Sequence, residues 1–234
     1  MSYSIIITYR DRETHLTTLL PRLEELMKDQ DYEIIIAEQV DEGKFKKNIL
    51  YNQASKYATK NLLVFHDVDY YPAQDVSYAT ERHIPLYPVR QVVFLNEDNQ
   101  PLAMDRVPAG YRHFHQDVRD HSGGVFVLSI DIFNRIGGFN PFYFGWGKED
   151  DDTRDRVRLA GYTWHRNDKG LFYGLHHTPV GNLDGDPDWI NNNDIYNKFA
   201  QHLDKGLKNC SADIEEFFVN QNTKWLKISN LQVI

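Results

Sequence analysis

The stretch NLLVFHDVD, Asn61 to Asp69, holds an unbroken apolar run followed by two aspartates one residue apart. A run this short and this rich in bulky apolar side chains predicts a strand covered on both faces, as in a parallel sheet. Ligands of such sheets bind beyond the carboxyl ends of the strands, where this one ends in Asp67 and Asp69.

Upstream lie two more runs of the same kind, YSIIITYR (3–10) and YEIIIAEQ (32–39). Between them Leu16, Leu19, Leu20, Leu23, Leu26 and Met27 recur at helical spacing in HLTTLLPRLEELMKDQ (15–30). Ile49, Leu50, Ala54, Tyr57 and Ala58 do the same in FKKNILYNQASKYATK (45–60). The order strand, helix, strand, helix, strand predicts an α/β domain on a parallel sheet. Past residue 100 the pattern loosens. GGVFVLSIDIFNRIGGF (123–139) and GLFYGLHH (170–177) read as strands and turns, EDDDTRDRVRLAG (149–161) as a helix ending at Gly161, and NNDIYNKFAQHLDKGL (192–207) as a late helix.

With 234 residues and an apolar fraction of 41%, one compact domain is the expectation. The single Cys210 excludes an internal disulfide and cannot alone build a zinc site. A net charge of −8 without a basic tract argues against nucleic-acid binding, so any phosphate must be gripped locally. No apolar run approaches the roughly 20 residues that cross a bilayer, so no transmembrane segment is expected. MSYSIIITYRDRE also lacks the marks of a secretory signal, so a cytoplasmic location is the expectation.

Alternate residues of a strand share a face, so Asp67 and Asp69 can both turn toward one cation. A carboxylate pair with an imidazole from His176 or His177 suits Mn²⁺ or Mg²⁺ bridging a diphosphate. Arg10 and Arg12 lie at the same sheet edge, placed to grip an anionic ligand. Glu149, Asp150, Asp151 and Asp152 open a helix whose dipole explains only part of their number. Successive helical residues turn by about 100°, so two or three of them can face one site. Gly145 and Gly147 flank Trp146, which suggests a segment that bends around a ligand. A second lid candidate is TPVGNLDGDPDW (178–189), with almost no apolar anchor.

In order, IIITYRDR, FKKNILYN, VFHDVDYYP, SGGVFVLSIDIFNRIGGF and GWGKEDDDTRDRV resemble the catalytic domain of the β-1,4-galactosyltransferase family over nearly the whole chain. The resemblance implies a single GT-A domain, a Rossmann-like, mostly parallel central sheet flanked by helices. About residues 1–100 would form its nucleotide-binding half and about 101–234 its acceptor-binding half. It implies inverting transfer from UDP-galactose or UDP-N-acetylgalactosamine to a glycan acceptor, forming a β-1,4 linkage, with Mn²⁺ as cofactor and Mg²⁺ as the alternative.

By the same resemblance Asp150 is the catalytic base, and Asp69 and His177 hold the metal, with His176 as the alternative imidazole. Thr8, Tyr9, Arg10, Arg12, Phe45, Lys47, Asp67, Gly124, Trp146 and Glu149 are implied donor contacts. Asp151, Trp146, Asn191, Asn192 and Ile195 are implied acceptor contacts. The chain departs from the pattern at four places. Lys47 replaces an arginine, Gly174 stands where many relatives have a methionine ligand, Asn191-Asn192 replaces an Arg-Phe pair, and His121 occupies the position that selects the donor sugar by bulk. Two other classes fit part of the pattern: a metal-dependent phosphodiesterase using Asp67, Asp69 and His177, and a non-catalytic glycan-binding module.

Overall fold

A computed structural model of the protein describes residues 1–103, 105–107, 123–177, 186–199 and 202–234. The strands expected at the start form as β1 (Ser2–Tyr9), β2 (Asp31–Gln39) and β3 (Leu62–Asp67), joined by α1 (Glu13–Met27) and α2 (Lys47–Ala54). β1 pairs in parallel with both β2 and β3. Alternation along the strands divides the core. Ile5, Ile7 and Val64 pack with Leu16, Leu19 and Leu23 of α1 on one face, while Ile6 and Phe65 pack with Ile49, Leu50 and Ala54 of α2 on the other.

Downstream come the short strands β4 (Tyr70–Pro72), β5 (Leu86–Tyr87) and β6 (Gln91–Phe94), followed by β7 (Val125–Ser129). Then follow α3 (Ile130–Arg135), α4 (Glu149–Leu159), β8 (His165–Arg166), β9 (Leu171–Gly174) and α5 (Pro187–Phe199). β10 (Cys210–Phe218) and β11 (Thr223–Val233) close the chain. The large sheet has the order β10-β11-β2-β1-β3-β7-β5-β8, and a small one has the order β4-β9-β6. The large sheet is mixed, since β7 runs antiparallel to β3 and the β10–β11 hairpin places β11 parallel to β2.

Three elements differ from the sequence expectation. The apolar run after Gly124 changes from β7 to α3 at Ser129, whose Oγ accepts a hydrogen bond from the Ile132 amide at 3.3 Å and caps the helix. The late helix runs over Pro187–Phe199 instead of 192–207, and residues 203–206 form turns and bends. Asp186 Oδ1 accepts from the amides of Asp188 at 2.8 Å and Trp189 at 3.3 Å, and proline suits the first helical position. The β10–β11 hairpin was not expected at all. No helix among the described residues is long and apolar enough to cross a membrane.

Candidate active site

The site forms where β1 and β3 end and the small sheet begins. In the β1–β3 register Thr8 lies beside Asp67, and the Asp67 amide donates to the Gly124 carbonyl at 2.8 Å. Gly124 must lack a side chain, because a Cβ there would lie 2.2 Å from the Tyr70 ring. The chain then crosses into β4, which pairs with β9 so that Tyr70 faces Gly174. The Leu175 amide donates to the Asp69 carbonyl at 2.8 Å, and His177 Nε2 comes to 3.0 Å from Asp69 Oδ2. The pairing of two short strands thus brings together residues far apart in sequence.

Asp69 Oδ2 also lies 3.3 Å from Arg12 Nη1. Burial works to raise the Asp69 pKa, but the hydrogen bond and charge of His177 and the charge of Arg12 hold it below the usual carboxylate value. His176 is exposed, and its carbonyl lies 2.9 Å from His15 Nε2, so the pairing with Asp69 falls to His177.

Lys47, at the start of α2, is the cation at the centre of the second half of the site. Its Nζ lies 3.0 Å from Asp67 Oδ1, 3.4 Å from Asp150 Oδ1 and 3.6 Å from Glu149 Oε1. Burial alone would lower the lysine pKa, yet Asp150, Asp67 and Glu149 outweigh it and hold the ammonium well above its ordinary value. Asp150 is raised well above the carboxylate range, first by burial and then by Glu149 and Asp67, with Lys47 pulling the other way. Asp67 is raised by burial and by Asp69 and Glu149 against the same lysine, and accepts from Tyr51 Oη at 3.1 Å. Tyr51 packs its ring edge-on against Phe65 at 5.0 Å, tying the site to the core beneath the sheet.

Glu149 and Asp150 reach this cluster because α4 starts there. Gly145, Gly147 and Lys148 all have positive φ and turn the chain sharply into the helix. A Cβ on Gly145 would strike the Asp188 carboxylate, and one on Gly147 would come within 2.8 Å of the Trp189 ring, so the loop lies directly on α5. Asn192 joins the two. It is fully buried, with Nδ2 donating to the carbonyls of Phe144 at 3.0 Å and Trp146 at 3.1 Å, and Oδ1 accepting from the Phe144 amide at 3.4 Å. Lys44 pairs with Asp188, and the Gly145 amide donates to the Phe45 carbonyl at 2.9 Å, tying the loop to the turn before α2.

The remaining residues singled out from sequence fall as follows. Arg10 Nη1 donates to the Gly43 carbonyl at 2.7 Å, and its guanidinium lies 5.6 Å from the centre of the Phe45 ring. Tyr9 is buried with its ring edge-on to Trp225 at 5.7 Å, which makes it a core side chain. Asp151 is paired with Lys148 at 3.1 Å and Arg154 at 2.7 Å, Trp146 and Ile195 are half-buried, and Asn191 is exposed. Asn192, expected as an acceptor contact, spends its polar atoms on the loop backbone. His121 and residues 178–185 of the lid candidate lie outside the described residues. Sequence reasoning missed Tyr51, His15 and the Asn192 linkage; the spacing of Tyr51 four residues after Lys47 on one helix face was the available signal.

Among the described residues no three His, Cys, Asp or Glu side chains converge as a metal cage. The Asp69–His177 pair nonetheless fits a hexacoordinate divalent ion. Neighbouring ligands about 2.1 Å from such an ion stand about 3.0 Å apart, and ions of this kind commonly take one or two protein ligands and complete their shell with phosphate and water. Gly174 has no side chain to act as a third ligand, and the Phe94 ring occupies the space beside it, 2.6 Å from where a Cβ would stand. The local charge agrees: Asp67, Asp69, Glu149 and Asp150 crowd around Lys47 and Arg12, and a dication would relieve the repulsion between carboxylates that helps to raise Asp67 and Asp150.

Two family models match the chain, the N-terminal region of glycosyl transferase group 7 over residues 1–80 and the N-terminal domain of galactosyltransferase over residues 107–178. β-1,4-Galactosyltransferase 4 of Cricetulus griseus is 34% identical over 162 residues, 67% of this chain and 42% of that protein. β-1,4-Galactosyltransferase 5 of Mus musculus is 31% identical over 188 residues, 77% of this chain and 44% of that protein. The chain therefore spans less than half the length of these curated relatives. A solved structure of a Drosophila β-1,4-galactosyltransferase 7 mutant, in complex with manganese, UDP-Gal and xylobiose, is similar with a TM-score of 0.70 at 20% identity, covering 97% of this chain and 93% of that one. The shared architecture is the GT-A fold, with its mixed, mostly parallel sheet flanked by helices.

Proposed function

From the premise that this chain is a GT-A-fold relative of the β-1,4-galactosyltransferases, we propose that it is a Mn²⁺-dependent inverting hexosyltransferase. It moves galactose, with N-acetylgalactosamine as the alternative, from a UDP-sugar to a hydroxyl of a glycan acceptor, forming a β-1,4 linkage. The observation that carries this reading is the two-part charge arrangement. Asp69 and His177 stand 3.0 Å apart as a ligand pair, and Asp150 lies at the start of α4 within reach of Lys47.

Asp69 and His177 would hold Mn²⁺, which when bound supplies positive charge to the diphosphate leaving group. Arg12 and Lys47 add fixed positive charge near the same group, and Arg10 with Phe45 stands at the nucleotide end of β1. Glu149, beside Lys47, would contact the donor sugar. Asp150 accepts the proton of the attacking acceptor hydroxyl as that oxygen bonds to the anomeric carbon and the bond to UDP breaks, inverting the configuration in one displacement. Its paired neighbour Asp151 and the Trp146 loop orient the acceptor. The nearby Lys47 charge favours the ionised form that a base needs, against the burial that opposes it.

The test is an acceptor screen with UDP-galactose and UDP-N-acetylgalactosamine, each with Mn²⁺, read by mass spectrometry. Transfer of a hexose to a sugar acceptor, with β configuration in the product by NMR, supports the reading. Release of free sugar and UDP alone, whatever the acceptor, contradicts it and favours a hydrolase.

A further inference from the structure

Between the apolar run of β3 and the two aspartates stands His66, which is fully buried. It shares a face of the strand with Val64 and lies among Tyr78 and Phe172, whose ring centres stand 6.1 and 6.2 Å from its own. Both of its nitrogens are engaged. Nδ1 lies 2.8 Å from the Asp67 carbonyl, and Nε2 lies 3.0 Å from Tyr78 Oη. A carbonyl can only accept, so Nδ1 carries the proton. Burial lowers the imidazole pKa to about 4, so the ring is neutral at neutral pH, and Tyr78 Oη donates to the bare Nε2.

The bond to the Asp67 carbonyl falls at the turn that presents the metal pair. The chain leaves the large sheet after Asp67 and enters the small one at Tyr70. Three backbone groups are held across this turn: the Asp67 amide donates to the Gly124 carbonyl, the Leu175 amide donates to the Asp69 carbonyl, and His66 Nδ1 donates to the Asp67 carbonyl. Of these three, only the last is held by a side chain. It sets the plane of the peptide between Asp67 and Val68, and turning that plane would re-aim the carboxylates on either side of it. Tyr78 is a firm partner, because its segment is anchored at both ends. Arg22 donates to the carbonyls of Pro72 at 2.9 Å and Ala73 at 2.8 Å, and Asn167 Nδ2 donates to the Ser77 carbonyl at 2.8 Å. A buried imidazole costs free energy unless its nitrogens are bonded, a cost that leucine would not carry. Leucine could fill the space but could not hold the carbonyl.

We propose that His66 is a positioning residue for the metal pair: through the Asp67 carbonyl it fixes the turn on which Asp69 meets His177, with Tyr78 holding the tautomer that donates. This rests on the transferase reading above, in which Asp69 and His177 receive the ion. His66 touches neither the ion nor the substrate, and its effect passes entirely through the backbone of the turn.

The experiment titrates Mn²⁺ into the intact chain with UDP present, followed by electron paramagnetic resonance. His66→Leu should weaken Mn²⁺ binding by about ten-fold or more, the scale of losing a group that orients a metal ligand. His66→Asn, whose side-chain amide can stand where Nδ1–H stood, should recover most of that affinity, whereas His66→Gln, which reaches the Nε2 position, should not. Val64→Ala opens a cavity on the same face of the same strand. It should lower Tm with Mn²⁺ affinity within about two-fold of the wild type, which separates positioning from stability. In the wild type, imidazole nitrogen NMR should show His66 protonated at Nδ1 alone. Mn²⁺ affinity that survives His66→Leu, an equal loss in Val64→Ala, or a wild-type ring protonated at Nε2 alone overturns the proposal. Should His66→Leu fail to fold, equal affinities in the Asn and Gln variants overturn it. A wild type that binds no Mn²⁺ with UDP present contradicts the transferase reading and takes the metal role of His66 with it, while the nitrogen spectrum still reports whether His66 holds the carbonyl.

Discussion

Lys47 is the side chain on which the site's charge balance turns. Its three carboxylate neighbours are crowded enough that burial and mutual repulsion raise Asp67 and Asp150 despite it. Lys47→Met should therefore weaken UDP binding in the presence of Mn²⁺ by about ten-fold or more, the scale of one charge-assisted hydrogen bond. Lys47→Arg should retain most of the affinity, and calorimetric titration of UDP reads both. At the other half of the site, Asp69→Ala and His177→Ala should each reduce Mn²⁺ affinity, measured by electron paramagnetic resonance, far more than His176→Ala. An equal loss at His176 would exchange the two imidazoles. The aspartates were legible in the sequence because a strand sets their alternation without help. Which histidine pairs with Asp69 was not, since the answer lies in the pairing of Tyr70 with Gly174 across two short strands.

The elements around the acidic helix hold the site by contacts that periodicity does not reveal. Asn192 on α5 was read as an acceptor contact, yet it is buried and bonded to the loop carrying Trp146, so its role is to fix that loop. Asn192→Ala removes three hydrogen bonds, each worth about 1 kcal/mol. It should lower kcat and raise the acceptor KM by about ten-fold in steady-state assays, leaving UDP affinity nearly unchanged. Lost UDP binding would show that the loop serves the donor instead. Within α4, Asp152 faces away from the site into the core, where burial pushes its pKa up to about 7 although Arg156 lowers it. The raised folded-state value means that stability declines as pH climbs from the unfolded carboxylate value, about 4, through 7. Asp152→Asn should accordingly raise Tm by a few degrees at pH 8.5 and change it little at pH 4, as read by thermal melts. Arg156 keeps partners in the variant, donating to the carbonyls of Ile136, Gly138 and His202. The four acids that look alike in sequence thus divide by helical turn between a site and a core, as the 100° step requires.

At the scale of the molecule, the first three strands and two helices were readable because each is one uninterrupted period of hydrophobicity. The later half was not, because its pieces are short and its strands form by pairing: β4, β6 and β9 hold three or four residues each, and α3 follows β7 with only the capping Ser129 between them. The hairpin of β10 and β11 carries many exposed positions on β10, so no apolar alternation marks it. Its consequence is mechanical, since β11 extends the large sheet beside β2 and covers Tyr9 with Trp225. Two sheets meeting at Asp67–Asp69, with α4 entering from the other side, give a site built from both halves of the chain, and the central claim is that Asp150 is its base. The most direct measurement is transfer from UDP-galactose with Mn²⁺ to the best acceptor by Asp150→Asn, alongside calorimetric UDP binding by the same protein. The account predicts turnover reduced by about a thousand-fold or more with UDP affinity within a few-fold of the wild type. Turnover within ten-fold of the wild type by a variant that still binds UDP would contradict it and pass the proton to another group.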